Sequence, residues 1–303
     1  MTTLDTDPSA MLARVRLFVG AATDVEAHVY AQLEHGSLPE GCTLSGSLYG
    51  PSCPYARTLP ARIALKDAGP GKTLLARCIV PDPCFWSPAL PYLYQATVTL
   101  RCGERELATI ERPVGLQRFC VSGTNLRLDG RRSVIRGVCR EVFDDCPHEQ
   151  WREASAAMVV DDPEESLCEQ CSRDGVLLVA VISTLKPEAI ARELARLGSW
   201  PAVGVTVLGG NVQIDGEIAL LAGNMLLAQR LKGLGPIQLA PWAKLAFCDV
   251  DTQNRLPSGV EHNVPVLAFR AAGGMATVAD ARAACDQLQR DLAPVGDFAG
   301  YLV

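Results

Sequence analysis

Residues 176–208, VLLVAVISTLKPEAIARELARLGSWPAVGVTVL, decide the fold class of the second part of the chain. They begin with an apolar run, VLLVAVI, continue with KPEAIARELARLG, whose apolar residues recur at helical spacing, and end with a second apolar run, AVGVTVL. Two short β-branched runs that flank one helical segment are typical of a parallel βαβ unit. The stretch therefore predicts two parallel strands joined by a helix.

The same alternation extends over residues 121–303. Eight runs are strand-like: SVIRGV (133–138), AAMVV (156–160), VLLVAVI (176–182), AVGVTVL (202–208), PIQLA (236–240), LAFCDV (245–250), VPVLAF (264–269) and AGYLV (299–303). Five segments are helical: HEQWREA (148–154), PEESLCEQCSRDG (163–175), KPEAIARELARLG (186–198), DGEIALLAGNMLLAQRLKGLG (215–235) and VADARAACDQLQRDLA (278–293). Eight strands with intervening helices predict a (β/α)8 barrel of the TIM type.

The predicted barrel is reduced and degenerate. Residues 121–303 are fewer than the roughly 250 residues typical of the fold, and only PWAK separates PIQLA from LAFCDV. At least one crossover helix is therefore missing, and an open α/β sheet is the alternative fold. Missing helices would leave apolar surface uncovered, which favours a protein partner or a homo-oligomer.

Residues 11–120 follow a different pattern. Strand-like segments such as ARVRLFVG and TLLARCIV alternate with turn-rich segments such as DAGPGK, and few stretches show helical periodicity. This pattern predicts an antiparallel β-sandwich. Residues 1–10 are expected to form a disordered N-terminus.

Composition excludes several classes of protein. The chain has 303 residues, 48% of them hydrophobic and 20% charged, with a mean hydropathy of +0.13, so we expect a globular protein of two domains. The net charge of −6, without a long basic run, argues against nucleic-acid binding. No signal sequence and no apolar run of about 18 residues is apparent, so we expect a cytoplasmic protein that does not bind a membrane.

Cysteine is unusually frequent, with twelve residues, most of them in apolar runs, and we expect reduced thiols. Cys168 and Cys171 have a metal-like spacing, but there is no second such pair, and the four histidines, at 28, 35, 148 and 262, form no ligand pair. GPGKT (69–73) lacks the full phosphate-loop pattern. We therefore expect no metal and no cofactor.

Residues 84–96, 111–119 and 125–141 have a more specific signal. Residues 84–96 read CFWSPALPYLYQA, followed by ERPVGLQRF (111–119), and residues 125–141 read NLRLDGRRSVIRGVCRE. Together with LCEQCSRDGVLLVAVI (167–182), they resemble glycoside hydrolase family 2, the β-galactosidase, β-glucuronidase and β-mannosidase group. The resemblance implies an immunoglobulin-like β-sandwich followed by the barrel, in a truncated relative without the family's large N-terminal domain.

The resemblance also places the catalytic positions. The family holds its acid/base glutamate after barrel strand four, where Asn211 stands here or, with a shift of one residue, Val212. Its nucleophile lies in a motif after strand seven, whose counterpart PVLAFRAA (265–272) puts Arg270 at that position. Neither an amide nor a guanidinium can replace the two carboxyl groups that hydrolysis with retention needs. The resemblance thus implies a pseudoenzyme with no intact catalytic residue.

The substrate-holding positions have also changed. The family's Asn-Arg-His after strand one reads Cys139-Arg140-Glu141, and MVVDDP (158–163) lacks the arginine, histidine and tyrosine expected after strand two. The tryptophan that follows the last strand in the family would fall beyond Val303. The candidate ligand-binding residues are Arg140, Glu141, Asn211, Trp242, Asp249, Asp251 and Arg270.

Relocated carboxylates are the alternative. Five acidic residues follow predicted strands, at the barrel face where catalysis takes place: Glu141, Asp161, Asp162, Asp249 and Asp251. A pair such as Glu141 with Asp249 would give an active O-glycosyl hydrolase, whereas helix capping and solvent contact are the other roles open to these residues. Arg270 favours either an anionic ligand or a salt bridge to one of these aspartates. Trp242 either stacks on a sugar ring or packs in the gap of the missing helix.

The favoured hypothesis is a non-catalytic binding or scaffolding protein, of which residual carbohydrate binding is one version. The alternative is an active glycosidase with relocated carboxylates.

Overall fold

The computed structural model describes residues 7–34, 36, 38–39, 41–143, 145–233, 235–236, 238–251, 253–257, 264–271 and 273–303. The chain divides into two compact units. The first takes in the described residues up to Trp86 together with Leu90–Leu116, and the second takes in Ser87–Ala89 and Gln117–Val303.

The first unit is a seven-stranded antiparallel sheet that curls into an immunoglobulin-like sandwich, as the sequence predicts. Its elements are α1 (Pro8–Leu12), β1 (Arg16–Ala22), β2 (Glu26–Glu34), β3 (Cys42–Ser52), β4 (Ala61–Asp67), β5 (Thr73–Pro81), β6 (Leu93–Cys102) and β7 (Arg105–Val114). The strand order is β1-β2-β5-β4-β3-β6-β7. Strand β4 pairs with β3 along Ala61–Leu65 and with β5 through Lys66 and Asp67, so it passes from one half of the sandwich to the other.

Alternating burial along these strands builds the core of the first unit. In β2, for example, Ala27, Val29, Ala31 and Leu33 are buried between more exposed neighbours, as expected when side chains alternate between the two faces of a sheet. Trp86 and Tyr94, from the segment that carries the resemblance, are also buried. These aromatic residues therefore support the fold.

The predicted disordered N-terminus needs a partial correction. Residues 1–6 lie outside the described residues, but residues 8–10 belong to α1. The carboxylate of Asp7 accepts a hydrogen bond from the Ser9 N–H, and Pro8 occupies the first helical position. Both features favour the start of a helix.

The second unit is a closed barrel of eight parallel strands. Its strands are β11 (Ile135–Cys139), β12 (Ala157–Asp161), β13 (Leu178–Val181), β14 (Val203–Leu208), β15 (Leu226–Leu231), β16 (Leu245–Asp249), β17 (Val266–Phe269) and β18 (Gly300–Leu302). Strand β18 pairs with β11 and closes the barrel, which excludes the open sheet. A three-stranded antiparallel sheet, which the sequence did not predict, precedes the barrel in the chain. Its strands are β8 (Phe119–Ser122), β9 (Asn125–Leu128) and β10 (Arg131–Ser133).

Helices follow the first four barrel strands and the seventh. They are η1 (Arg140–Phe143, a 3-10 helix) and α2 (His148–Glu153), α3 (Glu165–Asp174), α4 (Pro187–Leu197), α5 (Gly216–Leu220) and α6 (Val278–Leu292). Among the described residues, those between β15 and β16 and between β16 and β17 form no helix. The barrel is therefore reduced, as expected.

The predicted fifth strand, PIQLA, is wrong. Strand five is β15, which lies inside the segment predicted as the helix 215–235, and the described residues 238–240 have no regular structure. The helix stops at Leu220, and Gly223, with a φ of +61°, turns the chain before β15. A short leucine-rich run fits a helix and a buried strand equally well, which explains the error.

No helix among the described residues has both the length and the apolar character needed to cross a bilayer.

Candidate functional site

The barrel strands deliver a set of polar side chains to the C-terminal mouth of the barrel. Cys139, Asp161, Arg230 and Asp249 lie at or next to the ends of β11, β12, β15 and β16, and Glu141 follows β11 in η1. Because active sites of this fold lie at the C-terminal face, these residues define the candidate site.

Arg230, which the sequence analysis missed, is the cation of this group. One of its Nη atoms lies 3.0 Å from a carboxylate oxygen of Asp249. Its guanidinium also lies over the rings of Phe247 and Phe269, at 5.4 and 5.9 Å from their centroids. The Nε atom is buried and has no hydrogen-bond partner among the described residues. Arg230 therefore neutralises Asp249, one half of the predicted catalytic pair.

The pKa of the Cys139 thiol is affected by the charged side chains around it. Burial, followed by the negative charges of Asp161 and Glu141, raises the pKa of this thiol to about 11, against the opposing charge of Arg230. Two carboxylates from adjacent strand ends and one guanidinium are thus close enough to act on one side chain. Strands β11 and β12 are adjacent and parallel, with Cys139 beside Val159, so Glu141 and Asp161 follow neighbouring strand ends.

Asn211 lies in an exposed turn after β14. Val212 donates its N–H to the carbonyl of Gly209 at 3.1 Å, which closes the turn, and the Asn211 side chain is open to solvent. Val212, the alternative occupant of the acid/base position, is buried. No carboxylate is present from Leu208 to Gln213 in either alignment.

Trp242 is buried, and the structure does not offer its face to a sugar at the mouth. The side chain is 6% exposed, and its Nε1–H donates to the carbonyl of Val212 at 3.3 Å. It also lines a cavity of about 600 Å³ beside α5, together with Phe119, Leu220 and Met225. Of the two roles foreseen for Trp242, the structure supports packing where a longer helix is missing.

Arg270 is held by residues that the sequence analysis did not consider. Its Nη atoms donate to Asp291 at 2.8 Å and to Asn254 at 2.6 Å. Hydrogen bonds from Arg270 first, and then from Gln287, lower the pKa of Asp291. The salt bridge is therefore formed with Asp291 on α6, and the predicted salt bridge to one of the four aspartates that follow predicted strands is wrong.

The side-chain direction at β17 explains this pairing. Successive side chains of a strand point to opposite faces, and the ring of Phe269 packs 5.4 Å from that of Phe247 and beneath Arg230. Arg270, one residue later, is bound to α6 instead. The Phe269–Ala271 segment holds no carboxylate on either face.

Two of the five acidic residues stabilise loops. Asp251 accepts hydrogen bonds from the N–H groups of Gln253 and Arg255, at 2.9 and 2.8 Å, and these bonds lower its pKa, that with Arg255 most. Asp162 accepts from the N–H of Ser183 at 3.0 Å. The residue at the N-cap of α3 is Glu164, without a side-chain cap, so Asp162 does not have the helix-capping role that was one of those open to the acidic residues.

A second cluster, outside the mouth, has the composition of a nucleophilic triad. His148 Nδ1 lies 2.6 Å from a carboxylate oxygen of Asp174, and its Nε2 lies 4.0 Å from the sulfur of Cys171. Burial raises the pKa of the Cys171 thiol strongly, and the residue is fully buried. The thiolate that nucleophilic catalysis requires is therefore suppressed, and the cluster links α2 to α3.

No group of three or more histidine, cysteine, aspartate or glutamate side chains within the described part of the chain is arranged to hold a metal ion. His35 and His262 lie outside the described residues.

No family model matches the chain. A β-galactosidase of Oenococcus oeni is 30% identical over 83 residues, which make up 27% of this chain and 8% of that protein. The β-glucuronidase of Bacteroides uniformis superposes with a TM-score of 0.64 and 12% identity, over 99% of this chain and 46% of its own.

The chain resembles glycoside hydrolases of family 2. A β-glucuronidase of Ruminococcus gnavus, solved in complex with D-glucaro-d-lactam, gives a TM-score of 0.65 at 12% identity, over 95% of this chain and 60% of that one. Likeness at this identity concerns the fold, which in these family 2-like enzymes combines the sandwich and the barrel. The chain spans about half the length of the β-glucuronidases it matches.

Proposed function

We propose that this family 2-like chain has lost hydrolase activity and acts as a non-catalytic binding or scaffolding protein. The proposal rests on Arg270, which follows barrel strand seven, and on the side chains that bind it. Its guanidinium is bound to Asp291 and Asn254, and no carboxylate stands beside it in the sequence.

The chemistry of glycoside cleavage supports this proposal. Retention of configuration needs an acid that protonates the leaving oxygen and a carboxylate about 5 Å away that attacks the anomeric carbon. The turn after β14 supplies an amide, Asn211, and the end of β17 supplies a guanidinium. An amide cannot donate a proton at neutral pH, and a guanidinium stays protonated and has no nucleophilic electron pair.

Residual carbohydrate binding is the version that the polar mouth favours. Asn211 presents an exposed amide that both donates and accepts hydrogen bonds, and Glu141 and Asp249 add acceptors. A protein partner or a second copy is the other version, and Leu185 and Leu220, 67% and 76% exposed, are apolar side chains it would cover. A cytoplasmic location belongs to the same proposal, since the chain has twelve free thiols.

One observation favours an active glycosidase as the alternative function. Glu141 and Asp161 follow the adjacent parallel strands β11 and β12, and both raise the pKa of the Cys139 thiol. They would serve as a relocated acid and nucleophile, with Asp249 as the third candidate. In that case hydrolysis would depend on Glu141 and Asp161 and not on Asn211.

The decisive experiment is incubation of the full chain with aryl β-galactoside, β-glucuronide and β-mannoside. We expect no release of the aryl group above the buffer rate. Turnover that disappears in Glu141→Gln, Asp161→Asn or Asp249→Asn, but persists in the matched amide variant Asn211→Ala, would establish the glycosidase and refute the proposal.

Calorimetric titration with galactose, glucuronate and mannose distinguishes the two versions of the binding proposal. The carbohydrate version predicts saturable binding that Asn211→Ala weakens, together with a rise in the unfolding midpoint by mass action. The scaffold version predicts no sugar binding and a species larger than one chain on gel filtration.

A further inference from the structure

Two of the twelve cysteines face each other across neighbouring strands of the first unit. Cys42 is the first residue of β3, and Cys102 is the last residue of β6. They are direct partners in the antiparallel register, and the next pairs, Thr43 with Arg101 and Leu44 with Leu100, continue it without a shift. Directly opposed residues of an antiparallel pair have Cα atoms about 4.5–5.5 Å apart, within the roughly 4.4–6.8 Å that a disulfide spans.

The side chains of this pair are also on the same face. Cys42 is buried in the sandwich core, and Cys102 packs against that core while remaining partly exposed. Burial first, and then a hydrogen bond to Cys102 and the charge of that side chain, raise the pKa of Cys42 to about 11. The two thiols are thus next to each other, and Cys102 remains partly exposed to solvent.

We propose that Cys42 and Cys102 form a reversible redox site, in which a small disulfide oxidises the two thiols to a cross-strand disulfide. The partly exposed Cys102, as its thiolate, attacks one sulfur of the reagent and displaces one thiolate. Cys42 then attacks the Cys102 sulfur, displaces the second thiolate and gives up its proton to it. Two protein thiols and one small disulfide become one protein disulfide and two small thiols.

The other cysteines lack this combination of opposed register and mutual contact. Cys78 is buried in β5 and pairs with Val29 in the register of β2. Cys120 is exposed in β8, where its register partner is Arg127. Cys171 has Met158 and His148 near its sulfur. They therefore serve as controls for oxidation without pairing.

The bond would join the beginning of β3 to the end of β6 and close the intervening chain, including β4 and β5, into a covalent loop. Cross-linking distant positions limits the unfolded state. We therefore expect the oxidised protein to unfold at a midpoint higher by roughly 5–15 °C than the reduced protein.

The test equilibrates the reduced full chain with oxidised glutathione, blocks remaining thiols with an alkylating reagent and maps the peptides without reduction. The expected product is one peptide pair joined through Cys42 and Cys102, together with the higher unfolding midpoint, both reversed by dithiothreitol. Cys42→Ser and Cys102→Ser should lose both effects, whereas Cys78→Ser and Cys120→Ser should keep both.

Peptide mapping is done on the unsubstituted chain, so it still tests the proposal if a variant fails to fold. Complete alkylation of Cys42 and Cys102 after equilibration with excess oxidised glutathione would refute the proposal. So would glutathione retained on Cys102 without transfer to Cys42, or a disulfide that joins a different pair, such as Cys53 and Cys84.

Discussion

The two halves of the barrel are stabilised by different means. Strands β12 and β13 are followed by the amphipathic helices α3 and α4, whose apolar sides are buried through residues such as Leu167, Ile190 and Leu194. Strands β15 and β16 are followed in the described residues by loops, and polar side chains hold these loops in place. Gln229 donates to the carbonyl of Gly210 at 3.0 Å and accepts from the N–H of Ala240 at 2.7 Å.

Other strand-end residues in the second half have comparable roles. Arg230 pairs with Asp249, Asp251 organises the turn up to Arg255, and Arg270 binds Asn254 and Asp291. We infer that polar side chains at the strand ends take over the role of the helices that are missing after β15 and β16. A strand-end position that looks catalytic in the sequence can thus be structural.

The largest effect is expected from the helix-covered half. Leu194 in α4 is fully buried, so Leu194→Ala should lower the free energy of unfolding by about 3 kcal/mol through lost burial and a residual cavity. Urea unfolding measures this change. The matched substitution Leu220→Ala, at a leucine of α5 that is 76% exposed, should cost less than about 0.5 kcal/mol. Equal costs would show that α4 is not the buried element described here.

Gln229→Leu tests the loop-covered half. Gln229 is 6% exposed, and leucine of similar size would leave the Gly210 carbonyl and the Ala240 N–H without their partner, at a cost of about 2 kcal/mol. Gln213→Leu, at an exposed position, is the control and should change stability by less than about 0.5 kcal/mol. If the two variants unfold at the same urea concentration, polar side chains do not replace the helices.

Asp291→Asn should have the smallest effect and a characteristic pH dependence. The partly exposed ion pair with Arg270 should contribute about 1 kcal/mol at neutral pH. Because the folded pKa of Asp291 is lowered, this contribution is complete above the ordinary aspartate pKa and is lost as the pH falls through the folded pKa.

The stability difference between Asp291→Asn and the unsubstituted protein should therefore narrow below about pH 4, as measured by urea unfolding at several pH values. Glu217→Gln on α5 provides an exposed carboxylate as the control and should show no such convergence. A difference that stays constant down to pH 2.5 would contradict the ion-pair assignment.

Local sequence patterns predicted most strands of the barrel correctly. They failed where a helix and a buried strand have the same pattern. VTVL before Gly209 is recognisable as a buried strand because β-branched residues precede a glycine break. The run that forms β15, LLAQRL, consists of leucine, alanine, glutamine and arginine, which all suit a helix, and only the closure of the barrel makes it a strand.

The contacts of the candidate site were less accessible to sequence reasoning than its positions. Asn211 and Arg270 could be placed after strands four and seven by resemblance. The partner of Arg270 is 21 residues away in α6, and the partner of Arg230 lies on the neighbouring strand, so no local spacing marks either pair. The sequence left two roles open for Trp242, stacking on a sugar and packing, because the burial of this side chain depends on the loop that packs around it.

Strand β4 has a consequence for how the first unit unfolds. Its backbone is shared, with Ala61–Leu65 hydrogen-bonded to β3 and Lys66–Asp67 to β5. The two halves of the sandwich cannot separate from each other without leaving backbone amides of β4 unpaired. Both halves of the first unit should therefore unfold in a single cooperative transition, and no stable species should keep only one half folded.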